Sequence, residues 1–343
     1  MWYNAVREEC CLGKRVTIQD IADKMKLSKS TVSKAISGAT DISEETRESI
    51  MKCAAEMGYY ISPERMLRKK NVAVLVYAIH YGTSSQFGYE IIAGIQAAAV
   101  ENNIGMNIIS VTEDQVNTGN YDHLVINNGY EGIFFLGFRP HVDFIERNKG
   151  HNLPMVVLDN YIENPLVARV GCDNADGISQ IVKYLYRKGH RKIGFIGGEA
   201  DSIVTVERKN AFFCNMAELG LTVSDSTVKF GHFSGRGIKK ITVDIAKEGV
   251  TAIVCISDVI ASAAVKELVK AGYRVPQDIS VTGYDNLPAA EYCSPSLTTI
   301  NQNRIHIGKA AFHTMMQLKN GIQISSVQLH TSLVERESVA DIN

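Results

Sequence analysis

No stretch of this chain is apolar for long enough to cross a membrane. The longest clean run, Val72 to Ile79, falls far short of the roughly 18 to 20 residues that a spanning helix needs. The N-terminal residues include Arg7, Glu8 and Glu9 and no continuous apolar core, so they do not read as a secretory signal. The seven cysteines (Cys10, Cys11, Cys53, Cys172, Cys214, Cys255 and Cys293) form no Cys-x-x-Cys pair. That scatter excludes a disulfide framework and fits a reducing cytoplasm. An excess of one charge is also missing: 36 Lys+Arg stand against 37 Asp+Glu. With 343 residues, 45% of them hydrophobic, the chain is long enough for two or three domains with packed cores, which excludes disorder.

Signatures of catalysis are missing as well. No Gly-x-x-x-x-Gly-Lys-[Ser/Thr] loop occurs, and Gly231-His-Phe-Ser-Gly-Arg-Gly237 has the wrong spacing for a phosphate or dinucleotide loop. There is no Gly-x-Ser-x-Gly elbow. The nine histidines form no His-x-x-x-His pair, and His190 reads as structural. We therefore expect no enzyme activity, no cofactor and no metal.

The near-zero net charge is an average over unlike parts. Residues 13–70 carry 12 Lys/Arg against 8 Asp/Glu, whereas residues 71–343 carry 23 against 27. The basic part reads as three short helices. Thr17 and Asp20 form a start signal before Ile21, Ala22 and Met25. Ser28 can cap a second helix with Val32, Ala35 and Ile36 on its apolar face and Gly38 at its end. Ser43 opens a third helix that stops at Gly58. Only Lys26-Leu27 separates the first two, which demands a helix-turn-helix corner. Excess Lys and Arg on such a corner suit DNA phosphates, through counterion release.

From Asn71 the pattern alternates. Strands are predicted at Val72–Ile79, Met106–Val111, Gly132–Gly137 and Met155–Asp159, with a helix over Glu90–Asn102. A second set runs through strand Ala168–Cys172, helix Asn174–Lys188, strand Lys192–Gly197, helix Val206–Leu219, and strands Ala252–Ser257 and Ile279–Tyr284. Short apolar strands between amphipathic helices imply two doubly wound parallel sheets, with a ligand cleft at the strands' carboxyl ends.

Several motifs are distinctive. They are Val16-Thr-Ile-Gln-Asp-Ile-Ala22, Leu27-Ser-Lys-Ser-Thr-Val-Ser-Lys34, Glu207-Arg-Lys-Asn-Ala-Phe212, Ser280-Val-Thr-Gly-Tyr-Asp285 and Pro295-Ser-Leu-Thr-Thr-Ile300. Together they resemble the LacI/GalR family of bacterial transcriptional repressors over nearly the whole chain from Val16. The resemblance implies an all-α helix-turn-helix headpiece (16–60) after an N-terminal extension (1–15). A hinge helix or linker (61–70) and a two-lobed periplasmic-binding-protein-like effector domain (71–343) follow. The expected first lobe is 71–168 with 301–325, and the second is 169–297 with 326–340.

Carried over residue by residue, the resemblance gives Lys29, Ser30 and Lys34 to base edges in the major groove. Ser28, Thr31 and Ser33 go to phosphates, with Thr17 beside them. Lys34 stands where the family commonly has Arg, so it can donate to guanine without the rigid fork. Arg65 and Leu67 match the hinge, where the leucine would wedge into the minor groove. Glu64 and the missing Pro-Asn start depart from the family pattern.

For the cleft, the resemblance points to Arg208 and Asp285 as polar contacts and Phe233 as a stacking ring. Asp159, Ser202 and Ser257 join them, and Gln86 and Phe87 could close the site from the first lobe. Arg304 stands where some members carry an aromatic, which opens the option of an acidic or phosphorylated effector. The expected protein is a cytoplasmic homodimeric repressor of carbohydrate-utilisation genes. It binds pseudo-palindromic double-stranded operator DNA and a sugar or related metabolite. No heptad repeat follows Ile322, so a tetramerisation helix is not expected. The alternatives are a regulator tuned by a protein partner and a solute-binding protein.

Overall fold

A computed structural model describes residues 16–36, 42–57, 59, 71–118, 129–138 and 153–343. The chain divides into two compact units, Met1–Lys70 and Asn71–Asn343. The expected extension, the hinge with Arg65 and Leu67, and the helix-ending Gly38 and Gly58 lie outside the described residues.

The first unit contains α1 (Ile18–Met25), α2 (Lys29–Ile36) and α3 (Glu44–Glu56). Thr17 and Asp20 form a full capping box: Asp20 N donates to Thr17 Oγ1 at 3.3 Å and Thr17 N to Asp20 Oδ2 at 2.7 Å. Lys26 ends α1 in the left-handed region at φ 53°. Ser28 Oγ accepts from Thr31 N at 3.0 Å and Ser43 Oγ from Thr46 N at 3.3 Å, so each predicted start is made by its serine. Ile21, Ala22, Val32, Ala35, Ile36, Ile50, Cys53 and Ala54 form the core. Burial of each large aliphatic there contributes about 1.5–3 kcal/mol.

The second unit holds two parallel sheets. The larger has the order β2-β1-β3-β4-β5-β11, built from β1 (Asn71–Val76), β2 (Gly105–Ser110), β3 (Gly132–Leu136), β4 (Met155–Leu158), β5 (Val167–Cys172) and β11 (Ser326–Leu329). Its strands alternate between two cores. Val72, Val74, Val76, Phe134 and Leu136 face one side; Ala73, Leu75, Ile133 and Phe135 face the other. Against the first side pack α4 (Phe87–Glu101) and α11 (Arg304–Lys319). These helices meet backbone to backbone at Gly94 and Gly308. A Cβ on Gly308 would sit 2.0 Å from the Ile91 carbonyl oxygen, and one on Gly94 2.2 Å from that of Ile305.

The smaller sheet has the order β7-β6-β8-β9, with β6 (Ile193–Gly197), β7 (Val228–Phe230), β8 (Ala252–Cys255) and β9 (Ser280–Thr282). With it pack α6 (Asn174–Arg187), α7 (Ile203–Glu218), α8 (Ile238–Lys247) and α9 (Asp258–Lys270). β10 (Thr299–Asn301) and β12 (Ser332–Val334) pair antiparallel between the two sheets' segments. No helix among the described residues is long and apolar enough to cross a membrane.

The expected lobe limits need correction. β5 was expected to open the second set, but it pairs parallel with β4 (Val156 with Ala168) and therefore belongs to the first lobe. Residues 326–329 were placed in the second lobe, but β11 pairs with β5 (Val327 with Val170) and closes the first lobe's sheet. A strand's own hydrophobic pattern does not name its partner, and the pairing decides. The predicted strand over Val327–Leu333 breaks at His330–Thr331, where the chain leaves one sheet and turns to pair with β10. The chain thus passes between the lobes near 173, 302 and 330.

Candidate DNA-reading helix and effector cleft

On α2, Lys29, Ser30, Ser33 and Lys34 are exposed, Thr31 is half-buried, and Val32, Ala35 and Ile36 are buried. Both lysines stand outside the core, about 1.4 helical turns and about 140° apart around α2, so they flank its exposed surface. The Ser28 and Thr31 hydroxyls are already engaged: Ser28 Oγ lies 2.7 Å from Ser30 Oγ and 2.8 Å from Thr31 Oγ1. Thr17 is exposed, and its hydroxyl donates to Asp20 Oδ2 at 2.7 Å. The face that α2 offers is a helix start rich in donors with two lysines, which suits a phosphate-lined groove.

In the effector unit, the predicted cleft residues gather at the carboxyl ends of the strands. Arg208, near the start of α7, is buried; its Nε donates to Asn174 Oδ1 at 2.8 Å and its Nη1 to the Ile256 carbonyl at 2.5 Å. Its guanidinium carbon lies 3.5 Å from the centre of the Tyr284 ring. Asp285, just past β9, places Oδ1 3.8 Å from Arg208 Nη1 and accepts from Gln302 Nε2 at 2.5 Å. Burial pushes its carboxyl well up from the usual range, against the pull of Arg208.

Asp159 follows β4, and a Cβ on Gly171 would lie 2.0 Å from its Oδ1, so this glycine leaves room for the carboxylate as placed. That oxygen is buried and has no hydrogen-bond partner. Burial raises the Asp159 carboxyl to about 6, opposed by Arg208 and Arg169. Asp159 and Asp285 both take positive φ, 49° and 113°, unusual for non-glycine residues and a form of stored strain that concentrates at binding sites.

The remaining predicted residues divide. Phe233 is half-buried with its ring against Gly198, and its N–H donates to Glu199 Oε2 at 3.1 Å. Ser202 precedes α7 without capping it. Ser257 is buried and caps α9, accepting from Ile260 N at 3.2 Å. Gln86 precedes α4 with Oε1 accepting from Thr83 N at 3.2 Å, and Phe87 is half-buried as the first residue of α4. Arg304 does not stand open to a ligand. Its Nη2 pairs with Glu90 Oε2 at 2.8 Å, and its guanidinium donates to the carbonyls of Asp285 and Asn286. It ties the first lobe's helices to the end of β9.

Sequence reasoning missed the groups that hold these residues in place. Arg169 on β5 makes a two-pronged ion pair with Glu207 on α7 at 2.5 and 2.6 Å, across the two lobes. Asn174 donates to Glu207 Oε2 at 2.8 Å while accepting from Arg208. A relay therefore runs from the first lobe through Glu207 and Asn174 to Arg208. Burial tends to raise the Glu207 carboxyl, yet the bonds from Arg169 and Asn174 hold it below the usual range. Asp258, at the start of α9, accepts from Thr299 Oγ1 at 2.6 Å and Leu287 N at 2.7 Å. One signal was legible: Arg169 sits inside the apolar run Val167–Cys172, and a charge in a buried strand needs a partner. Among the described residues, no group of His, Cys, Asp and Glu is arranged to hold a metal.

Comparison with known proteins agrees with both units. Residues 17–62 match the bacterial regulatory proteins of the lacI family, and residues 182–339 match the periplasmic binding protein-like domain. The chain belongs to the LacI/GalR family. It is 28% identical over 313 residues to the HTH-type transcriptional repressor CytR of Escherichia coli K12, covering 90% of this chain and 92% of that one. It is 29% identical over 332 residues to the HTH-type transcriptional repressor PurR of Photobacterium profundum, covering 95% and 99%. Among solved structures, the lac repressor dimer bound to operator and the anti-inducer ONPF shares the fold. The TM-score is 0.78 at 23% identity, over 95% of this chain and all of that one. Membership in the LacI/GalR family joins the two halves: a helix-turn-helix unit and a two-lobed binding unit on one chain.

Proposed function

We propose that this protein is a ligand-responsive transcriptional repressor of carbohydrate-utilisation genes. A sugar or related metabolite bound between the lobes changes its affinity for operator DNA. The observation that carries this reading is the union on one chain of an α2 that exposes Lys29 and Lys34 and a two-lobed domain with Asp159, Arg208 and Asp285 together at its strand ends. Two copies pair through their effector domains, so that two headpieces meet half-sites one helical turn apart. Relative motion of the lobes is the means of response. By linkage, a ligand that weakens DNA binding is itself bound more weakly by the same factor when DNA is present. Lys29 and Lys34 read bases, Ser28, Thr31 and Ser33 position phosphates, and Arg65 with Leu67 engages the minor groove.

The experiment is footprinting of the purified full-length protein over the DNA upstream of its own gene and neighbouring genes, repeated with a panel of sugars and nucleosides. A protected pseudo-palindrome whose protection changes with one compound supports the reading. Saturable sugar binding with no effect on protection counts against it, and so does a protected site that responds only to a protein partner.

A further inference from the structure

The cleft contains several arginines, and how far each is already paired decides what the site accepts. Arg169 has a side chain only 9% exposed, while its partner Glu207 is 31% exposed. Arg304 is 4% exposed and its partner Glu90 is 32% exposed. In both pairs the guanidinium is sealed and the carboxylate is the part that faces solvent. Arg208 commits its Nε to Asn174 and its Nη1 to the Ile256 carbonyl, covers the Tyr284 ring, and has Asp285 beside it.

Two of the helix starts that would attract an anion already carry an acid of the chain, Glu90 in the first turn of α4 and Asp258 in that of α9, whereas the start of α7 has none. The guanidiniums of Arg169 and Arg304 keep a buried Nε without a partner, but each is closed off behind its carboxylate; Asp159 Oδ1 is a buried acceptor without a partner. A buried oxygen of this kind is costly until a donor reaches it.

We propose that Glu90 and Glu207 are specificity determinants that reserve the cleft for an unphosphorylated effector without net negative charge, one that presents a hydrogen-bond donor to Asp159. The proposal rests on the reading of the cleft as an effector site. An incoming phosphate would face the partly exposed carboxylates of Glu90 and Glu207, each in front of a sealed guanidinium. The presence of Arg304 alone, which first suggested an acidic ligand, is reversed by its ion pair with Glu90.

The test has two arms, both on full-length protein. In the first, thermal stability is followed against sodium sulfate, with sodium chloride at matched ionic strength to account for general salt effects. The proteins compared are the wild type, Glu90→Gln and Glu207→Gln. The wild type shows no saturable sulfate shift, and each Gln variant binds sulfate at least tenfold more tightly. Saturable binding by the wild type, or variants as indifferent to sulfate as the wild type, overturns the proposal.

The second arm needs no variant. Calorimetry compares glucose with glucose 6-phosphate, ribose with ribose 5-phosphate, and adenosine with adenosine monophosphate. Any parent compound that binds does so at least a hundredfold more tightly than its phosphate, and a phosphate that outbinds its parent overturns the proposal. A panel without a binder counts against the effector reading instead, and the sulfate arm still decides the question of anion exclusion.

Discussion

Removing the Glu207 carboxylate strips Arg169 of its ion-pair partner in a strand that is otherwise apolar. Breaking a fully buried ion pair from one side costs about 3–5 kcal/mol, because the remaining charge stays buried without compensation. Glu207 is about one third exposed, so water can enter beside Arg169 once the carboxylate is gone. The expected loss for Glu207→Ala is therefore nearer 2–3 kcal/mol. Arg169→Met removes the charge and keeps a similar apolar volume, and should cost less than the glutamate change. In the double variant the penalties should fall well short of additive, with a coupling of about 2 kcal/mol. Urea unfolding followed by circular dichroism on the four proteins of this cycle gives the number. As a control, Arg274 and Asp278 form an equally short pair on the surface, and Arg274→Ala should leave the midpoint almost unchanged. Additive effects at 169 and 207, or a Glu207→Ala loss no larger than the surface control, would refute the claim that this pair ties the lobes together.

Three further outcomes follow from the same geometry. Gly308→Ala pushes a methyl group onto the Ile91 carbonyl and should lower the stability of the first lobe by about 1–3 kcal/mol or prevent folding, read from urea unfolding. Ser28→Ala removes the cap on Thr31 N and should cost the headpiece about 1 kcal/mol, weakening DNA binding in mobility-shift assays while leaving ligand calorimetry unchanged. Asp159 binds its proton more tightly when folded, to about 6, than its ordinary 3.8. The folded state therefore holds the extra proton between these values, and stability falls as pH rises through that window, then stays level above it. Asp159→Asn should accordingly be more stable than the wild type at pH 7.5 and equal to it near pH 3.5, while losing effector affinity. A wild type that gains stability relative to this variant between pH 4 and 6 would show the sign to be wrong.

Much of the fold was legible in the sequence, for identifiable reasons. Ser28 and Ser43 announced their helices because a short hydroxyl side chain can reach the open backbone N–H two or three residues on. The core strands announced themselves because parallel sheets covered on both sides are apolar throughout, as Val72–Val76 shows. The lobe limits were not legible, because the partners of β5 and β11 are set by long-range pairing that leaves no mark on either strand. Helices α8 and α9 carry no start signal as plain as those of the headpiece, and the sequence does not show that Ser257, a candidate ligand contact, also caps α9. At the cleft, family motifs supplied Arg208 and Asp285, which the structure brings to 3.8 Å. Glu90, Glu207 and Asn174 were missed because their roles depend on partners 33 to more than 200 residues away.

If the proposed function holds, the exposed surface of α2 reads DNA in a two-headed protein. Selection of bound sequences from random duplex DNA by the full-length protein tests it most directly, alongside Lys34→Ala. The expected result is an enriched pseudo-palindrome with half-sites about one helical turn apart, and a loss of preference worth about 1–3 kcal/mol at one base of each half-site in the variant. Selection that returns no palindrome, or a Lys34→Ala protein with unchanged base preference, would contradict it.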